Sequence, residues 1–273
     1  MKRIALFSSV FILTATLYGC GGGSSCGASA LLAGISTCAG SNNNSSSSPE
    51  TVVQSAVEGL YQGTTSAGKT EYALVLEDGS FWGIYGTSVG SALAVEGVAT
   101  GSAGANYGTF TLTFTDFYAP GNAPVTGQGS GTYTASSLVG TFTEDGATTT
   151  FNFIAPVQTA YDYNSAATLS SIAGSWTGEL LTGETSTITI SATGTITGTS
   201  SLGCAFAGTA VPRATGKNVF DVTLTFGAVP CVAANQTVSG IGLTYPLGNG
   251  ETQLVAGVVN PSKTLATAFF AQR

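Results

Sequence analysis

Five cysteines, two pairs of adjacent carboxylates and two glycine-framed aromatics are the groups whose types and spacing bear on chemistry, and none of the 273 residues is histidine. The missing imidazole removes the commonest general base, the commonest metal ligand and every Ser-His or Cys-His pair. Serine is abundant, yet no Gly-x-Ser-x-Gly elbow or Ser-x-x-Lys stands out. Glu77-Asp78 and Glu144-Asp145 offer oxygens to a hard ion such as Ca²⁺, which takes roughly six to eight of them. No Asp-x-Asp-x-Asp-Gly loop surrounds either pair. Each precedes a glycine, so hairpin-turn chemistry accounts for both. Nothing indicates the two-carboxylate pair of a glycosidase. The expectation is a protein that is not an enzyme and holds no metal or cofactor.

Cys20 stands directly behind a leader. Lys2 and Arg3 form a positive start, and residues 4–17 form an apolar run too short for the roughly 20 residues a membrane helix needs. Leu17-Tyr18-Gly19-Cys20 resembles the lipobox of bacterial lipoproteins, although Tyr18 departs from the small or aliphatic residue usual there. The resemblance implies that 1–19 is a signal peptide and that Cys20 carries lipid, palmitate included. Gly21, not Asp, follows the cysteine, which in that family's enteric members favours delivery to the outer membrane of a Gram-negative envelope. Several acyl chains anchor firmly, at about 0.8 kcal/mol per buried CH₂. Residues 20–49, ending in "GSNNNSSSSP", read as a flexible tether. The net charge is −7; without Lys2 and Arg3 only five scattered bases remain, too few for a nucleic-acid surface.

Cys26, Cys38, Cys204 and Cys231 are left, an even number that allows three pairings. An exported chain meets oxidising conditions, and proximity along the chain favours Cys26–Cys38 and Cys204–Cys231.

The elements that would position these groups follow from composition. Only 8% of residues are charged, against about 25% in an average domain, while 43% are hydrophobic and 38 are glycine. Short apolar runs between turn residues indicate an all-β chain. A pattern occurs twice: Gly59-Leu60-Tyr61-Gln62-Gly63 and Gly174-Ser175-Trp176-Thr177-Gly178, both Gly-x-aromatic-x-Gly, 115 residues apart. Each follows a short, helix-compatible segment near 50–57 and 166–172. Eight strands are expected after each motif: near 59–65, 70–76, 81–86, 91–98, 107–115, 126–134, 138–143 and 148–154, then 174–181, 185–191, 195–200, 204–210, 218–227, 236–245, 251–258 and 264–271. "FDVTLTF" (220–226) and Phe110, Leu112 and Phe114 alternate apolar with polar at every step.

Eight sequential strands joined by hairpins predict an up-and-down barrel, which leaves no exposed sheet edge. The predicted organisation is a first barrel at 50–157, a linker with a short helix at 158–173, and a second barrel at 174–273. A pair of β-sandwiches is the alternative. The motif-bearing strands also look like those of lipocalins and of transferrin-binding-protein-type lipoproteins, and the chain resembles uncharacterised two-barrel lipoproteins of β-proteobacteria. Strands expected at five to eight residues argue against a spanning barrel, which needs about 9–11.

In such a barrel the fourth and fifth strands are neighbours, so Cys204 and Cys231 fall at one end and can bridge. The first barrel has no such pair and would rely on its own core. Tyr61 and Trp176 either plug a barrel end or line a cavity. Residues 58–160 hold eight acids and one base, while 174–273 hold four of each; this reads as surface divergence, or as a face on the first barrel for cations or a basic protein. Two functions follow: a membrane-anchored module that binds a protein partner, or a lipocalin-like carrier of a small apolar ligand. A cavity would need small inward residues, for which Ala205, Ala207 and Gly208 are candidates.

Overall fold

Alternation decides the architecture. Along Thr109–Tyr118, Phe110, Leu112 and Phe114 are buried while the threonines between them face outward, as a strand with one face on a core requires. The computed structural model describes residues 57–118, 122–155 and 161–273. The leader, the tether, Cys20, Cys26, Cys38 and most of the 50–57 segment lie outside them.

Among the described residues sixteen strands follow one another: β1 (Gly59–Thr65), β2 (Thr70–Val75), β3 (Ser80–Val89), β4 (Ala92–Asn106), β5 (Thr109–Tyr118), β6 (Val125–Thr134), β7 (Ser137–Glu144), β8 (Ala147–Ile154), then β9 (Gly174–Leu180), β10 (Thr185–Ile190), β11 (Thr195–Ser200), β12 (Ala205–Pro212), β13 (Phe220–Phe226), β14 (Thr237–Pro246), β15 (Thr252–Val259) and β16 (Ala266–Gln272). One short helix, α1 (Leu169–Ile172), precedes β9. Each strand pairs antiparallel with the next, and each set of eight closes on itself. β1 meets β8 through Gln62↔Ile154 to Thr65↔Phe151; β16 meets β9 through Phe269↔Leu180 to Ala271↔Gly178. Closure establishes two tandem eight-stranded up-and-down barrels and excludes the sandwich pair.

The largest departure from expectation is the β3–β4 hairpin. β4 runs for 15 residues, not to 98, because its glycine- and alanine-rich second half pairs with all of Thr109–Thr113. Strands of 10 residues are also common, so length alone does not argue against membrane spanning. Polarity does. The exposed residues of β5 and β6 are, Tyr118 apart, polar: Thr109, Thr111, Thr113, Thr126, Gln128, Ser130, Thr132 and Thr134, where a lipid-facing band would be apolar.

β2–β4 and β14–β16 break the alternation. Tyr72, Leu74, Trp82, Ile84 and Val98 point outward from the first barrel, and Ile241, Leu243, Tyr245, Val255 and Phe270 from the second; they form one buried cluster. Tyr72 packs on Phe270 with ring centroids 5.1 Å apart. Strands covered on both faces read as near-continuous apolar runs, which is what "EYALVL", "FWGIY" and "TAFFA" are. The barrels share this third core, so the first does not rest on its interior alone.

Candidate functional site

The two motif aromatics have equivalent roles. The Tyr61 hydroxyl donates to the Val57 carbonyl at 3.1 Å, and Trp176 Nε1 donates to the Ile172 carbonyl at 2.8 Å, each reaching four residues back. Both side chains are buried in the barrel cores. Tyr61 is absent from the lining of the first-barrel cavity and Trp176 from the spaces of the second, the arrangement a plug at the barrel end would give. Burial, with Tyr133 and Glu58 nearby, raises the Tyr61 hydroxyl to about 12. Arg273 lies over the Trp176 ring at 3.9 Å and donates to the Ala173 carbonyl at 2.7 Å.

Above the plug the barrels differ. The second is filled: its interior spaces measure about 70 and 50 Å³. Cys204 and Cys231 form the expected disulfide, with Cα atoms 4.6 Å apart, and Val232 and Ala233 from the same loop border the space beneath. Ala205 and Ala207 are exposed rather than inward, and a side chain at Gly208 would collide with Leu224 and the Thr223 backbone. Of the three, Gly208 alone is closely approached, and it makes room for Leu224 rather than a cavity.

The first barrel holds a cavity of about 180 Å³. Its floor is Phe81, Ala99, Leu112, Phe114 and Phe142. Phe114 meets Phe142 edge-on at 5.7 Å and tilts against Phe81 at 6.5 Å, the arrangement aromatic quadrupoles favour. Gly127 gives the Phe114 ring its place, because a Cβ there would fall within the ring. Toward the mouth the lining turns acidic, with Glu71 from β2, Asp116 from β5 and Glu144 from β7, beside Tyr85 from β3. Tyr85 donates to Asp116 Oδ2 at 2.7 Å. Asp116 Oδ1 is buried without a partner. Gly97 makes room for the Tyr85 ring, and a β-bulge between Tyr85 and Gly86 shifts the β3–β4 register just beyond it, a feature common beside binding sites. Tyr85, Asp116 and Glu144 also border an open groove of about 550 Å³ beside Leu181–Gly183 of the second barrel.

Burial governs the charge state of this ring. Desolvation, then the neighbouring Asp116 and Glu144, pushes Glu71 up to about 8. Desolvation raises Asp116 to about 6 against the Tyr85 and Phe117 hydrogen bonds. Glu144 reaches about 7 through desolvation and the charges of Asp116 and Asp145.

The acids of the first barrel are therefore not simply surface divergence. Three face its interior. Glu77 and Asp78 grip Arg213 of the second barrel, Glu58 pairs with Lys217, and Glu96 pairs with Lys69. Turn chemistry describes Glu77-Asp78 only in part. Glu144-Asp145 divides into an inward Glu144 and a turn residue, Asp145, at φ 46° before Gly146 at φ 76°. Neither Glu71 nor Asp116 figured among the expected site residues. The signal was present: Asp116 continues the inward series Phe110, Leu112, Phe114, and Glu71 continues Val75, Ala73.

The fold and site define a pair of closed barrels, one plugged and filled, the other plugged at one end and hollow toward the other. No family model matches the chain, and no curated protein matches it in sequence. Among solved structures, isotype 1 transferrin binding protein B (TbpB) from serogroup B Neisseria meningitidis aligns over 76% of this chain and 51% of its own, at 12% identity and a TM-score of 0.29. The chain thus spans about half the length of that protein. A protein of unknown function from the DUF3598 family of Nostoc punctiforme aligns over 79% of this chain and 94% of its own, at 12% identity and a TM-score of 0.24. At such scores neither likeness bears on what this chain binds.

Proposed function

We propose that this protein is a non-enzymatic binding protein, held by lipid on Cys20 in a Gram-negative cell envelope, whose first barrel carries a small ligand with an apolar body. The observation that supports it is the 180 Å³ cavity over an aromatic floor in a barrel whose sibling is filled. An apolar cavity of about 150 Å³ holds benzene, so a single-ring ligand matches this one. The cavity favours the carrier over a module that docks only proteins, which rested on the tether and on missing catalytic groups. The lipid anchor draws on the lipobox resemblance and the short apolar leader, and a Cys20→Ala chain remaining in the salt-washed membrane fraction would refute it.

The test of the carrier is titration of the full chain with 2-phenylethanol by calorimetry. Saturable one-to-one binding is expected, lost in Thr149→Phe, which places a ring in the cavity wall. Binding unaffected by that substitution, or no binding of any aryl-alkyl probe, would overturn the reading.

A further inference from the structure

The carboxylates at the cavity are costly where they stand. Unpaired buried charge and unsatisfied buried oxygens are both penalised, and three like charges in one barrel mouth add mutual repulsion. Asp116 is only 3% exposed, and its Oδ1 has no partner. Glu71 is 7% exposed; its carboxyl lies against Gly83, where an added Cβ would approach Oε1 to 2.7 Å, and no hydrogen-bond donor among the described residues serves it. The cation at the mouth, Lys69, is already committed to Glu96 at 2.5 Å and Thr87 at 3.3 Å.

The fold does not demand this arrangement. In the first barrel the register runs Gly63↔Glu71↔Tyr85. In the second, the equivalent row from the matching motif glycine is Gly178↔Ser186↔Ser200. The same positions take small neutral side chains where the barrel is filled, and a carboxylate and a phenol where it is hollow.

We propose that the first-barrel cavity is a site for a small organic cation, a primary ammonium on a single-ring or short aliphatic body, with Asp116 and Glu71 as its principal acceptors, Glu144 at the rim and the phenylalanine floor beneath the body. This rests on the carrier reading above and adds the charge of the ligand. An ammonium brings three donors to three carboxylates spread over separate strands. No group of three acidic or cysteine side chains among the described residues is gathered closely enough to hold a metal ion, so the ring suits a larger cation. Aromatic faces stabilise that charge further.

The groups facing the bound ammonium would be Glu71 on β2, Tyr85 on β3, Asp116 on β5 and Glu144 on β7, with Lys69–Glu96 at the mouth and Asp145 beside Glu144. Because burial holds protons on Glu71 and, in part, on Glu144 near neutral pH, a cation that favours their ionised forms must displace protons. Binding therefore tightens as pH rises from about 6 toward about 8.

The experiment is calorimetric titration of the full chain at pH 7.5 with 2-phenylethylamine and with neutral 2-phenylethanol, in two buffers of different ionisation enthalpy. The amine is expected to bind at least about tenfold more tightly, with proton release that the alcohol does not show. Asp116→Asn and Glu71→Gln should reduce the amine to the level of the alcohol. Glu144→Gln, at a partly open position, gives a smaller loss and serves if the buried variants fail to fold. Equal binding of amine and alcohol would overturn the charge inference and leave the carrier intact. Amine preference that survives all three substitutions would overturn the assignment to these residues. No binding of either probe would overturn both.

Discussion

Arg213 Nε, in the second barrel, donates to Glu77 Oε1, in the β2–β3 turn of the first, at 2.7 Å. The same guanidinium reaches Asp78 through Nη2 and Asp221 through Nη1, and Thr215 and Tyr163 also donate to Glu77. The fork thus joins the two barrels beside their shared apolar face, in the planar geometry that arginine provides and lysine does not.

Desolvation alone would raise the Glu77 carboxyl, but the bonds from Arg213, its own backbone, Tyr163 and Thr215 outweigh it and bring it down to about 2. A depressed carboxyl stabilises the fold above its unfolded value and loses that contribution as pH falls through the folded one. Acid should therefore loosen the contact progressively between about pH 4.5 and about pH 2. Arg213→Ala should cost about 3 kcal/mol at neutral pH by stranding Glu77 and should flatten this acid limb. Chemical denaturation at stepped pH checks both; an unchanged acid limb in the variant would assign it to other carboxyls.

Reduction of Cys204–Cys231 opens a loop with a sequence separation of 27, worth about 3.5 kcal/mol in the chain-entropy model. Sequence reasoning confines that loss to the second barrel. The face shared by Trp82, Ile84, Leu243 and Phe270 changes the expectation: reduction should lower one joint transition. Calorimetry of the reduced chain tests it, and two resolved transitions with the first unmoved would show that the barrels unfold independently.

The strand count and both closures were legible because a one-sided strand writes its alternation plainly, as Phe220 to Phe226 does, and because the two Gly-x-aromatic-x-Gly motifs mark where each barrel begins. The pairing of Cys204 with Cys231 followed from proximity along the chain together with strand order. The inter-barrel face was less legible: its strands lose their alternation, and a continuous apolar run gives a strand without saying what covers its second face. The cavity was illegible for a different reason. Counting small residues suggests a void, but Gly97 and Gly127 are occupied by the rings of Tyr85 and Phe114. What marked the site was a carboxylate at an inward position, visible only once the alternation is followed past Phe114 to Asp116.

Trp176 closes the second barrel with a hydrogen bond to Ile172 and the Arg273 guanidinium over its ring. Trp176→Phe removes the donor, leaves the buried Ile172 carbonyl without it, and weakens the stacking. A loss of about 2 kcal/mol is expected from these together. Tyr61→Phe removes only a hydroxyl from the matching contact and should cost about 1 kcal/mol. Equal losses from the two substitutions, measured by urea denaturation, would mean that Arg273 contributes nothing to the plug.

Glu71 provides the opposite pH signature to Glu77. Its folded value, about 8, lies above the ordinary carboxyl range, so the folded chain holds a proton that the unfolded chain releases. The stability linked to that proton is complete below about pH 4.5 and is lost as pH rises through about 8. Glu71→Gln keeps the shape and hydrogen-bonding capacity but cannot ionise. It should leave stability at pH 5 nearly unchanged and raise it at pH 8.5 by an amount on the order of 4 to 5 kcal/mol. The same substitution should abolish the amine preference of the cavity. A gain in alkaline stability accompanied by a loss of ligand discrimination is what a residue retained for binding gives, because its charge weakens the fold and has value only when a cation is present. If Glu71→Gln stabilises the alkaline fold and leaves amine and alcohol discriminated as before, the strain is real but the residue is not an acceptor.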